Sequence, residues 1–334
     1  MRRSILFILL LSLILTFSFG CGKKATTLAG VVKDEDGNPL QGIVVSLDGQ
    51  TATTDENGKY LFKDLEEGTY KLTVSVKDFY PFEASVNVKS GENTKNIGLK
   101  HTTLAKAKKR GYLLVGSEVA YAPFEFMQDG NPTGFDIELI KEISKEMGLS
   151  EPKIIDTAWD GIFAALKSEK FDIIISAVTI TEERSKEMLF SDPYYDSGQI
   201  IAVRKDNNEI KSEADLVGKV VGVQINTTGD FAAQDIKGIK EIRRYDDIQQ
   251  AFQDLEIGRI DAVINDLPVS AYYASTRPDI KLVGKLLTVE QYGIAARLGD
   301  NDLIEEINKA LKKIKESGKY KELYIKWFGV EPPQ

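Results

Sequence analysis

Among the residues that could carry chemistry, the scarcest types are the most telling. The 334-residue chain has one cysteine, Cys21, and one histidine, His101. No intramolecular disulfide can form, and neither a Cys/His metal cage nor a Cys–His nucleophile pair has enough members. His101 has no second donor near it in sequence and reads as a solvated linker residue. Asp34, Asp36 and Asn38 alternate like the start of a calcium loop, but the glycine falls at the fourth position instead of the sixth and no glutamate closes the loop, so turn chemistry accounts for them. No metal and no cofactor is expected. The 43 basic and 51 acidic residues leave a formal charge of −8, without the basic footprint of a nucleic-acid binder.

The elements that must position any site follow from length and pattern. A chain of 334 residues exceeds what one core usually holds, and 42% hydrophobic with 28% charged residues argues for packed domains against disorder or a polytopic membrane protein. At the N-terminus, Arg2-Arg3 precedes an apolar stretch from Ile5 to Phe19 broken only by Ser12, Thr16 and Ser18, and Gly20-Cys21 follows. This is the layout of a secretory signal over residues 1–20. It is shorter than the ~20 residues of a spanning helix.

The end of that stretch resembles a bacterial lipoprotein signal, in which the cysteine becomes the acylated first residue of the mature chain. Ser18 and Phe19 depart from the aliphatic and small residues usual there. The resemblance implies a lipid on Cys21, a tether over 21–27, and an exported protein held in the periplasm or on the outer face of the cytoplasmic membrane. Removing residues 1–20 takes two arginines and no acid, leaving a charge of −10.

From 28 to 100 the texture is one of short β-branched and aromatic runs. Strands are expected over Leu28–Lys33, Gly42–Leu47, Tyr60–Phe62, Tyr70–Val76, Phe82–Val88 and Ile97–Leu99, separated by Asp36-Gly37-Asn38-Pro39, Asp48-Gly49, Asn57-Gly58 and Ser90-Gly91. That spacing predicts a small sandwich. The order Gly30-Val31-Val32, Gly37-Asn38-Pro39-Leu40, Thr54 to Tyr60 and Gly68-Thr69-Tyr70 resembles the carboxypeptidase regulatory-like, transthyretin-like β-sandwich. Such modules are mostly spacers or adhesion surfaces, which implies a stalk here.

Residues 101–111, with Lys106, Lys108, Lys109 and Arg110 and little apolar content, read as a linker. Beyond them, strands at Leu113–Val115, Ile173–Ile175, Val220–Val223 and Ala262–Ile264 alternate with helical periods at Ile137–Met147, Gly161–Leu166, Ile248–Leu255 and Leu303–Ile314. Leu303, Ile307, Leu311 and Ile314 form an amphipathic stripe. Alternation of this kind predicts parallel sheets with ligands at the strand ends.

Gly116-Ser117-Glu118, Tyr121 to Phe126, Gly134-Phe135-Asp136, Trp159-Asp160-Gly161, Thr179-Ile180-Thr181-Glu182-Glu183-Arg184, Phe190-Ser191-Asp192-Pro193-Tyr194-Tyr195, Thr227-Thr228-Gly229, Asp266, Tyr292-Gly293-Ile294-Ala295 and Lys326-Trp327-Phe328-Gly329 follow one another in order. Together they resemble the family-3 periplasmic solute-binding proteins of amino-acid ABC transporters. Two departures are Ser144, where a smaller apolar residue is usual, and Asn226, where a glycine commonly precedes the two threonines. Asn tolerates the left-handed region, so the turn can survive.

The resemblance implies a type II fold over 112–329, with lobe one at about 112–203 and 292–327 and lobe two at about 204–291. It also implies capture of one free amino acid by hinge closure and delivery to ABC permease subunits. It gives Arg184 and the helix start at Thr228 the ligand carboxylate. Asp266 takes the ammonium with Thr179 and the backbone at Ser176 and Ala177, and Tyr121, Trp159, Glu118 and Gln224 take the side chain. Two π faces and a carboxylate suit a cation, so arginine is expected first, then lysine or histidine. Glutamine is the alternative. Other classes on this fold are a cyclohexadienyl-dehydratase-like enzyme and a ligand-sensing partner of a membrane receptor; a complete set of amino-acid anchors favours binding over catalysis.

Overall fold

The computed structural model describes residues 25–333, in two compact units that divide between Lys100 and His101. The signal over 1–20 and Cys21 lie outside the described residues. Among the described residues no helix is long and apolar enough to cross a membrane.

The first unit contains β1 (Thr27–Asp34), β2 (Val44–Leu47), β3 (Gln50–Thr53), β4 (Lys59–Phe62), β5 (Gly68–Val74), β6 (Phe82–Val88), β7 (Glu92–Thr94) and β8 (Ile97–Leu99). One sheet runs β3-β2-β5-β6; in the other, β1 pairs with β4, β7 and β8. Alternation puts Leu28, Val32, Val45, Leu47, Leu72, Val74 and Val88 into a shared core. Gly30 is required in β1, because a Cβ there would lie 1.8 Å from the Lys95 carbonyl that the Tyr60 hydroxyl binds at 2.6 Å. Asp34 accepts from both the backbone and the side-chain amide of Asn38, at 2.8 and 2.9 Å, as an Asx-type turn does.

The second unit opens with α1 (Thr103–Arg110), where a linker was expected. Thr102 caps it by accepting from the Ala105 N–H, the basic residues fall in its last turn, where the helix dipole favours them, and Leu104 and Ala107 enter the core of the unit. The apolar pair at a spacing of three is short enough to be overlooked among lysines. Then come β9 (Leu114–Ser117), β10 (Ala120–Tyr121), β11 (Glu125–Gln128), β12 (Asn131–Thr133), α2 (Phe135–Glu146), β13 (Lys153–Asp156), α3 (Trp159–Lys167), β14 (Ile173–Ile174), α4 (Glu182–Ser185), β15 (Met188–Phe190) and β16 (Tyr195–Ser197). They continue with β17 (Gln199–Arg204), β18 (Val220–Gln224), α5 (Thr228–Asp235), β19 (Glu241–Tyr245), α6 (Ile248–Glu256), β20 (Ala262–Asp266), α7 (Leu267–Thr276) and β21 (Ile280–Val283). The last elements are β22 (Glu290–Tyr292), β23 (Ala295–Arg297), α8 (Asn301–Glu316) and α9 (Lys319–Phe328).

Lobe one is built on the sheet β13-β9-β14-β23-β15 and lobe two on β19-β18-β20-β17-β21. The expected boundary at 203 needs correction: β17 pairs antiparallel with β20 and β21, so Gln199–Arg204 belongs to lobe two. The crossovers are β16 and β22, paired Tyr195 to Tyr292 and Ser197 to Glu290. Their aromatic rings stack at 5.7 Å and continue into Phe124, Tyr324 and Phe328, a rigid base under the hinge. In α8 the stripe Leu303, Ile307, Leu311 and Ile314 is buried. Ser144 is buried in α2 with its hydroxyl lacking a hydrogen-bond partner, so the polar departure is an uncompensated one.

Leu104→Ala should lower the stability of the second unit by about 2–4 kcal/mol in urea unfolding. A true linker would leave the midpoint unchanged.

Candidate functional site

The carboxyl ends of the parallel strands face one another across the two lobes. β9 leads to Glu118, β14 to Ser176 and Ala177, β18 to Thr227, and β20 ends on Asp266. The cleft between them is lined by all ten residues expected from the sequence, together with Gln199, Thr227, Gly229 and Asn265.

Its two sides are already joined. Tyr121 of lobe one donates to Asp266 (2.7 Å) and Asn265 (3.0 Å) of lobe two. The Trp159 indole N–H donates to the Asn226 carbonyl at 3.2 Å, Asn226 Nδ2 to Asp160 at 2.6 Å, and Gln249 Nε2 to the Ala120 carbonyl at 2.9 Å. Gln224 Nε2 spans both oxygens of Glu118 at 2.8 and 2.9 Å. The lobes are therefore in the closed arrangement.

Arg184 is aimed into the cleft by α4, whose cap Thr181 accepts from the Arg184 N–H. Its Nη1 donates to the Thr179 carbonyl at 2.8 Å, and the guanidinium lies 5.2 Å from the Trp159 ring centre and 5.1 Å from that of Phe163. One face of Trp159 is thus taken by the chain's own cation, which narrows the expectation that both aromatic walls serve a ligand. Burial lowers Arg184 to about 10, against the pull of Glu290 and Asp266, so it stays charged at neutral pH. Among the described residues no carboxylate forms an ion pair with it, and its remaining N–H groups can take a carboxylate side-on.

Across the cleft, Asn226 adopts φ 58°, and Thr227 caps α5 by accepting from the Asp230 N–H. The first N–H groups of that helix, at Thr228 and Gly229, have no intrahelical acceptor and form an anion cradle. A Cβ on Gly229 would sit 2.8 Å from Gln199 Oε1, so glycine keeps the backbone close.

The acids are strongly shaped by burial. Burial pushes Glu118 up to about 7, with Gln224 and the Trp159 N–H opposing and Asp247 and Asp156 adding to it. Asp266 is pushed up to about 6 by burial and then by Glu290. Ser176 turns its hydroxyl away from the cleft, donating to Glu125 at 2.8 Å and accepting from the Glu118 N–H at 3.0 Å, so only its backbone faces a ligand.

Glu290 is the residue that sequence reasoning missed. It sits on β22 and accepts from Thr179 (2.8 Å) of lobe one, Thr228 (2.9 Å) of lobe two and Thr288 (2.6 Å). Gln199 Nε2, within bonding reach of both Glu290 and Asp266, ties the two acids together. The only signal was its place two residues ahead of Tyr292-Gly293-Ile294-Ala295. Because Thr179 spends its proton on Glu290, its oxygen is left to accept, as an ammonium requires, while the Thr228 oxygen accepts from Gln199 Nε2 at 3.1 Å.

Residues 113–330 match the bacterial extracellular solute-binding proteins, family 3, and residues 27–100 match the carboxypeptidase regulatory-like domain. Over 232 residues the chain is 38% identical to the L-cystine-binding protein TcyJ of Escherichia coli strain K12, spanning 68% of this chain and 86% of that one. The arginine-bound form of truncated ArgBP from T. maritima is 46% identical with a TM-score of 0.60, covering 63% of this chain and 99% of that one. The ancestral amino-acid-binding protein AncCDT-1, described as a precursor of cyclohexadienyl dehydratase, is 44% identical with a TM-score of 0.65, covering 68% of this chain and 100% of that one. The fold is a carboxypeptidase regulatory-like β-domain followed by a type II periplasmic-binding fold.

Tyr121→Phe removes a donor to Asp266 and should raise its titration above about 6, followed by carboxyl ¹³C shifts. An unchanged or lower value would contradict this reading of the network.

Proposed function

The chain belongs to the family-3 bacterial extracellular solute-binding proteins, and from that premise we propose that it captures a basic amino acid, arginine first and then lysine or histidine, and delivers it to ABC permease subunits. At the coarser level it is an extracytoplasmic amino-acid-binding protein of ABC transport. One observation carries the finer reading: Glu118, Asp266 and Glu290 are buried around the cleft against the single guanidinium of Arg184. Arginine or lysine brings two cations and one carboxylate, and so cuts this excess from two charges to one, whereas glutamine or cystine brings equal numbers of each. Charges removed from water must be paired.

Arg184 and the N–H groups of Thr228 and Gly229 take the α-carboxylate in this reading. Asp266, with the Thr179 oxygen and the backbone of Ser176 and Ala177, takes the ammonium. The side chain runs between Tyr121 and the open face of Trp159 to Glu118, with Gln224 holding that carboxylate in place. We read the cleft as non-catalytic, since each acid in it already has a binding task, and purified protein should not turn over a cyclohexadienyl substrate. Cleavage before Cys21 and lipidation there would keep the receptor beside its permease, with 28–100 as a stalk and 112–329 as the binding domain.

In isothermal titration against arginine, lysine, histidine, glutamine and cystine, arginine should bind tightest; binding of glutamine or cystine with arginine silent would overturn the specificity. Arg184→Ala should weaken every amino acid by about 2–5 kcal/mol, since it leaves a buried carboxylate unpaired. Retained affinity would sink the carboxylate assignment. A bound cation favours ionised Glu118, so binding expels a proton below about pH 7. Arginine affinity should hold above that pH and fall by about tenfold per unit between about pH 7 and about pH 6, below which Asp266 titrates as well. Glu118→Gln should lose that slope, and an identical slope in the variant would contradict the assignment.

A further inference from the structure

Behind the cleft wall, lobe one buries two carboxyl groups that have no place in the ligand contacts. Glu125 opens β11 and Asp136 lies in the first turn of α2, and both are fully buried. One oxygen of each is well served: Ser176 donates to Glu125 Oε1 at 2.8 Å, while the Ala177 N–H (2.8 Å) and the Tyr194 hydroxyl (2.7 Å) donate to Asp136 Oδ2. The other oxygens, Glu125 Oε2 and Asp136 Oδ1, are buried without a hydrogen-bond partner. The two carboxyl groups interact electrostatically, the charge of Asp136 pushing Glu125 upward. A proton on one of them lets the two unpartnered oxygens satisfy each other, whereas two ionised carboxylates side by side would repel strongly out of water.

The ionisable groups facing the pair offer no relief. They are Glu118 and Tyr121 from the segment around β10 and Tyr194 from the segment ahead of β16, and all are acids. Asp136 has two donors, Ala177 and Tyr194, whereas Glu125 has only Ser176, so the negative charge settles on Asp136 and the proton on Glu125.

We propose that Glu125 and Asp136 share one proton, carried by Glu125 and donated to Asp136, and that this pair positions the Ser176–Ala177 turn of the ligand cleft. Ala177 stands at φ 47°, a left-handed conformation that alanine does not adopt by preference. Asp136 holds its N–H, and Glu125 holds the preceding serine hydroxyl, which in turn accepts from the Glu118 N–H at 3.0 Å. The strand ends after β9 and β14 are thereby locked together from behind. Neither acid touches ligand, so both are positioning residues. Burial pushes Glu125 well above the ordinary carboxyl range and Asp136 to about 6, in keeping with the one-proton arrangement.

The positioning role rests on the amino-acid-binding reading of the cleft; the shared proton does not. In Glu125→Gln the carbonyl still accepts from Ser176 and the amide still donates to Asp136, so arginine affinity should be retained. Glu125→Ala frees Ser176 and leaves Asp136 Oδ1 unpaired, so affinity should fall by about tenfold or more.

The sign of the pH effect follows from a raised folded-state value. The stability tied to Glu125 is full below the ordinary glutamate value and is lost as pH rises toward the folded value, the unfolding constant growing about tenfold per pH unit. Urea unfolding of the full chain, read by Trp159 and Trp327, the only two tryptophans, should show wild type losing stability with that extra slope relative to Glu125→Gln. Parallel pH profiles would overturn the shared proton, and loss of affinity in Glu125→Gln as large as in Glu125→Ala would overturn the positioning role. If wild type fails to bind arginine, the ligand assignment falls, while the unfolding comparison, which needs no ligand, still decides the proton.

Discussion

Closing two lobes over a small polar molecule takes charge out of water, and that electrostatic cost constrains everything else in the second unit. Glu118, Asp266 and Glu290 are buried with one guanidinium among them. Each is held by hydrogen bonds that keep it usable without neutralising it: amide donors on Glu118, a phenol on Asp266, three threonine hydroxyls on Glu290. Neutral donors stabilise a carboxylate but do not cancel its charge. In the function proposed here, that cancellation comes from the cations of the bound amino acid.

The folding pattern supplies this arrangement with little special structure. Parallel strands in both lobes end at the same cleft, and the antiparallel pair β16 and β22 crosses between them. Because Glu290 lies on that crossover and accepts from both lobes, hinge and site are one hydrogen-bonded unit. In the proposed reading, a ligand held from both lobes would favour the closed arrangement by the difference in its contacts between states. The stacked Tyr195 and Tyr292 rings give the crossover a stiff base.

Much of this was legible from residue order. Arg184, Thr228 and Asp266 sit in local patterns whose geometry is set by the backbone around them, a capped helix start or a strand end, so position in sequence carries position in space. Asn226 was legible for the same reason, since only a residue tolerant of φ 58° fits ahead of Thr227. What escaped depended on partners distant in sequence. Glu290 finds Thr179 and Thr228, 111 and 62 residues away, and nothing local marks it. The Gln199–Arg204 strand has the same apolar texture whichever sheet receives it, so its assignment to lobe two needed the pairing itself. The short strands Gln50–Thr53 and Glu92–Thr94 lack an apolar run because they lie at sheet edges, and α1 was hidden by its lysines.

The central claim is that buried charge, more than shape, selects the ligand. Equilibrium dialysis with labelled arginine and with citrulline tests it most directly, because the two share size and shape and differ in side-chain charge, a ureido oxygen replacing one guanidinium nitrogen. Arginine binding tighter by about 30-fold or more is the predicted result, the loss expected when one partner of a buried charge pair is neutralised. Equal affinity for the two would contradict the account.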